Sequence, residues 1–135
     1  MSQKLWGFFN KGAMAGKQRL FNMLENVNSE ITIADFDTFP MNHDDVARLE
    51  KIIRDNTRLQ VISLVDCNLS SEYLELLAMA VLSNKTLQKF QVELFYDCSE
   101  TLRDLMTSVE LHLMNNMMLK LDSSVDERAS NAISV

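Results

Sequence analysis

The sequence predicts an α/β chain, a small solenoid with short parallel strands on its concave face and helices on its convex face. Three observations predict it. First, the stretch Asn56–Val92 repeats itself: Asn84, Leu87, Phe90 and Val92 follow Asn56, Leu59, Ile62 and Leu64 at one offset of 28 residues. A fixed period in this range marks stacked supersecondary units. Second, each period couples a short run of alternating apolar residues to a run with helical spacing, such as Leu74, Leu77, Ala78 and Val81. Third, Asn28, Asn56 and Asn84 each follow a helical run. Asparagine tolerates the left-handed conformation that ends helices, so it stands where glycine is otherwise expected.

The chain has 135 residues, which fits one domain, and its 47% hydrophobic content is enough for a core. The net charge of -6 and a pI near 4.8 argue against a nucleic-acid partner, which calls for a basic footprint. The charge is uneven. Lys4, Lys11, Lys17 and Arg19 precede the first acid, Glu25, leaving 9 of the 13 basic residues against all 19 acidic ones in the remainder. Two cysteines give no disulfide framework. No secretory signal pattern and no run near ~18 apolar residues occurs. An intracellular, cytoplasmic setting follows as the expectation.

The elements follow in order. Residues 1–28 are expected to form cap helices. Leu5, Phe8, Phe9, Gly12 and Ala13 share a helical stripe weakened by Gly7, Gly12 and Gly16. That stripe reads as a lid on the open end of the stack. Alternatively, residues 1–16 form a basic, Trp6-bearing anchor at a membrane surface. Residues 17–28 read as a helix with Leu20, Phe21, Leu24 and Val27 on one face. Residues 29–121 hold three to four repeats. In the first, Ile31, Ala34, Phe36, Phe39 and Met41 precede a helix capped by Asn42 or Asp44, with Val46, Leu49, Ile52 and Ile53 inside. In the second, Leu59, Ile62, Leu64, Cys67 and Leu69 lead to a helix capped by Ser70 or Ser71. In the third, Leu87, Phe90 and Val92 lead to Leu102, Leu105, Met106 and Val109, although Phe95 and Asp97 break the turn pattern. Met117–Leu121 reads as a last strand, and residues 122–135 as a flexible polar tail.

Asn56, Leu59, Ile62, Leu64, Cys67 and Leu69 carry the whole motif N-x-x-L-x-x-L-x-L-x-x-C-x-L, and Asn84, Leu87, Phe90 and Val92 carry its first part. Asn28, Ile31, Phe36 and Met41 match more loosely, with Ala34 and Phe39 as departures. These residues resemble the leucine-rich-repeat family, in particular the 28-residue type of ribonuclease inhibitor and tropomodulin, over roughly residues 18–121. The resemblance implies a binding scaffold. Its tropomodulin-like side implies an actin-filament partner.

The residues themselves offer no chemistry. His43 beside Asp44 and Asp45 reads as a helix start rather than a metal site. His112 reads as a cation near a helix end. Cys67 reads as a buried structural thiol, and Cys98 as lying in an irregular turn. Gly12–Lys17 is not a phosphate loop, so neither cofactor nor catalysis is expected. Binding by such stacks uses the outward strand positions. These are Ile33, Asp35 and Asp37; Val61, Ser63 and Val65; and Lys89, Gln91 and Glu93. The stripe suits another protein with an apolar knob and a basic rim, and Val61 and Val65 are its best hint. With few units, a homodimer that hides an open end by end-to-end packing is a further expectation.

Overall fold

A computed structural model of the chain describes residues 15–95 and 98–133, with side chains as far as Asp122. Helix α1 occupies residues 15–25 among these. It is followed by β1 (Ile33–Asp35), α2 (His43–Asp55), β2 (Val61–Ser63), α3 (Ser71–Leu82), β3 (Lys89–Gln91) and α4 (Glu100–Ile133). The strands pair in parallel in the order β1-β2-β3. Ile33, Val61 and Lys89 form one row, and Ala34, Ile62 and Phe90 the next. Each paired residue thus stands 28 positions from its partner, so the period of the apolar pattern is also the pairing register. This mixed α/β arrangement is consistent with a small leucine-rich-repeat-like domain.

Alternation of side chains along a strand explains the layering. The central residues Ala34, Ile62 and Phe90 are buried, as are Phe36 and Leu64 two positions on. They meet the inward stripes of the helices: Val46, Leu49, Ile52 and Ile53 of α2, Leu74, Leu77, Ala78 and Val81 of α3, and Leu102, Met106 and Val109 of α4. Helix α3 lies between α2 and α4.

Helix α1 is fixed to the first unit by packing and charge. The Phe21 and Phe36 rings lie 5.0 Å apart. The α2 N-terminus is closed by a capping box, in which Asn42 Oδ1 accepts from the Asp45 N–H and the Asp45 carboxylate accepts from the Asn42 N–H. The buried Lys17 ammonium reaches the same carboxylate at 2.7 Å and donates to the Pro40 carbonyl at 3.1 Å. A second clamp is Arg48, whose guanidinium binds Glu25, Gln18 and Asn22 while lying 4.9 Å over the Phe21 ring.

The repeated asparagines work differently from the expectation. Asn56 has φ -79° and ψ 130°, an extended rather than left-handed backbone. Its Oδ1 accepts from the Arg58 and Leu59 N–H groups, and Asn84 Oδ1 does the same for Thr86 and Leu87. Asn84 Nδ2 also donates to the Ile53 and Asn56 carbonyls of the preceding unit. The asparagine amide both shapes the turn into the strand and ties one unit to the last. The left-handed residues lie after the strands instead, at Thr38 and Asp66, again 28 apart, and at Asn68. There they turn the chain away from the sheet toward the next helix.

Several expectations fail, each for a local reason. Val27 is 94% exposed, because α1 ends at residue 25 and leaves it in the turn. Met117–Leu121 is helical, not a strand. Met, Leu and Lys are strong helix formers, no Gly or Pro intervenes, and extending an existing helix needs no new nucleus. The same continuation carries the backbone of residues 122–133, expected as a loose tail, into α4. His112 is therefore mid-helix, with Nε2 2.6 Å from the Asn84 carbonyl oxygen. Asn116, one turn on, donates to the Asn84 and Leu87 carbonyls. These two side chains satisfy the carbonyls that the next repeat would have met. The lid or anchor expected from residues 1–16 lies outside the described residues except for the last two, and Asp97 also lies outside them.

Candidate interaction surface

The register brings six of the nine expected surface residues into two rows: Ile33, Val61 and Lys89, then Asp35, Ser63 and Gln91. Asp37, Val65 and Glu93 follow their strands. Ile33 is 64% exposed and is the most open apolar side chain on this face. Val61 and Val65 are half-buried rather than open. Ser63, expected to be outward and solvated, is buried.

The reason is a carboxylate that bridges two units. Asp37 Oδ1 accepts from the Ser63 hydroxyl at 2.6 Å and from the Val65 N–H at 2.8 Å. The Ser63 hydroxyl, the Val65 N–H and a smaller contribution from Asp35 hold the Asp37 carboxyl below the usual carboxylate value. Asp35 Oδ1 accepts from the Asp37 N–H at 2.9 Å, which orders the same turn. The face is therefore acidic over β1, apolar in its first row, and mixed over β3, where Lys89, Gln91 and Glu93 are all exposed.

The third strand then leaves its neighbour. Thr38 and Met41 donate to the Val65 and Cys67 carbonyls, so the first two units stay joined through their turns. Between the second and third units the ladder among the described residues ends with the Leu64 N–H on the Gln91 carbonyl. Beyond it a cavity of about 150 Å³ opens, lined in part by Asp66, Cys67, Leu69, Glu93 and Phe95. Leu94 and Phe95 are exposed at 43% and 58%. Sequence reasoning did not assign them to the surface. The signal was the break in the turn pattern at Phe95, which stands at the position that Cys67 holds one unit earlier.

The other candidate groups have structural partners. The Cys67 thiol donates to the Phe36 carbonyl at 3.0 Å, and burial pushes it up to about 11. Cys98 is partly exposed, with Arg103 Nε donating to its sulfur at 3.3 Å. The His43 ring lies 6.0 Å from that of Tyr73. Among the described residues, no three His, Cys, Asp or Glu side chains gather where they could hold a metal. Nor is any helix there long and apolar enough to cross a membrane.

No protein-family model matches this chain, and no curated protein sequence is similar to it. Among solved structures it is similar to the tropomodulin C-terminal domain of Caenorhabditis elegans, at 9% identity and a TM-score of 0.38, over 79% of this chain and 98% of that one.

Proposed function

We propose that the chain is a non-catalytic interaction module that binds another protein on the open face of its sheet. The observation that supports this reading is the juxtaposition of Ile33, 64% exposed, with the half-buried Val61 beside it and the carboxylates of Asp35 and Asp37 two and four residues on. A sheet face that only met water would carry polar side chains in that row. The arrangement suits a partner that offers an apolar side chain flanked by Lys or Arg.

The test is affinity capture with the wild-type chain beside an Ile33→Glu/Val61→Glu variant. Neither side chain belongs to the buried core, so the variant keeps its fold. A partner retained by wild type and lost by the variant supports the reading, and its binding weakens with salt if the carboxylates contribute. Equal retention moves the site off the sheet face. The resemblance of the repeats to those of tropomodulin makes the actin filament the first defined partner to try, by cosedimentation. The alternative of a membrane-peripheral adaptor, held by residues 1–16, is tested by flotation of the chain with acidic vesicles.

A further inference from the structure

Helix α4 carries two apolar stripes on different sides. The first, Leu102, Met106, Val109 and Leu113, is buried and closes on Asn116. The second, Leu111, Met114, Met118 and Leu121, is 65%, 59%, 61% and 60% exposed. At about 100° per residue the second lies roughly 100–180° around the axis from the first. Met114 and Leu121 fall on the side that in α3 carries Glu75, and Glu75 accepts from the Ser99 hydroxyl at the start of α4. This is the side on which a following helix would pack, and the exposures show it uncovered by the described residues. Helix α4 is also 34 residues long against 13 for α2 and 12 for α3, so it runs about 50 Å.

We propose that this stripe pairs with the same stripe of a second copy, with the two α4 helices antiparallel about a two-fold axis near Asn116. The spacing argues for a second copy. The gaps between the four residues are three, four and three, which is the seam spacing of paired helices. They read the same in either direction. Leu111 then meets Leu121 of the second copy, and Met114 meets Met118, so the surface complements itself as an isologous contact requires. Charges allow it: in this register Asp122 falls opposite Ser108 and Asn115 opposite itself, so no like charges face each other at these flanking positions. The size sets the strength. Five half-exposed side chains, with Met117 as the fifth, cover roughly 500 Å² per copy, which is at the low end of specific interfaces. A reversible dimer follows, with a dissociation constant on the order of 10–100 micromolar.

Sedimentation of the full chain from about 1 to about 500 micromolar tests this. Wild type is expected to move from 15.5 kDa toward twice that mass. A Met114→Glu/Met118→Glu variant is expected to stay at 15.5 kDa with an unchanged thermal melt. In a Cys98→Ser background, oxidising a mixture of Leu111→Cys and Leu121→Cys chains is expected to cross-link the two variants to each other, while neither cross-links alone. A monomer at every concentration overturns the proposal. So does a dimer indifferent to the glutamates, one in which each cysteine variant cross-links alone, or a stripe that captures a different protein while the chain stays monomeric.

Discussion

Asn84 shows how much one side chain does in this chain. It is buried, and its amide accepts from two N–H groups ahead of it and donates to two carbonyls of the unit behind it. Truncation leaves those four backbone groups unpaired in a dry place, so Asn84→Ala should lower stability by about 2–4 kcal/mol. Asn56→Ala, at a half-exposed site, should cost about 1 kcal/mol. Urea melts of the two variants would rank them, and the reverse order would deny Asn84 its bridging role. Asp37 is the second such residue. Its folded value lies below that of the unfolded chain, so the stabilisation is complete above about pH 3.9 and is lost as pH falls through the lower folded value. Glu25, held down chiefly by its hydrogen bond from Arg48, acts in the same direction. The stability gap between wild type and Asp37→Asn should therefore be widest at neutral pH and close in acid, as melts between pH 2 and pH 7 would record. Cys67, pushed up by burial, should resist alkylation at pH 8 in the folded chain, while Cys98 reacts; both should react in urea. Two equally fast thiols in the native state would count against the buried turn.

At the level of elements, the repeat made the three strand–helix units legible. Ile62 and Leu64 sit two apart, so both face the core, and the same positions in the first and third units follow by addition. The caps were readable too, since Asn42 and Ser70 are the observed N-caps. Leu64, 2% exposed at the centre of this pattern, gives the sharpest test. Leu64→Asp places an unpaired charge in the core at a cost of several kcal/mol, against a total stability of ~5–15 kcal/mol, and should abolish the cooperative melt. A folded variant would mean that the core lies elsewhere. The end of the third unit was not legible. A run of helix formers at Met117–Leu121 fits a strand in a repeat and a helix on its own, and local pattern cannot arbitrate between them. The decision lay with His112 and Asn116, which satisfy the Asn84 and Leu87 carbonyls from the helix itself.

For the molecule as a whole, the strands pair in chain order and α3 lies between α2 and α4, so the core has two ends to close. The front end is bound by Lys17–Asp45 and Arg48–Glu25. At the rear, Asn116 is the last buried residue with a described side chain. A chain ending at Asp122 should thus melt within about 0.5 kcal/mol of the full chain. A much larger loss, read by calorimetry, would place part of the core in residues 123–135. The sequence by itself determined the period, the pairing register, most of the inward residues and the exposure of Ile33, Asp35, Lys89, Gln91 and Glu93. Each of these follows from which side chains must leave water when a short strand alternates with a helix. Only the tertiary structure decided that Ser63 is buried under Asp37, that the asparagines bridge units rather than end helices, and that α4 continues instead of starting a fourth strand. Those outcomes turn on which polar group finds a partner across units about 28 residues apart, and a hydrophobic pattern carries no record of that.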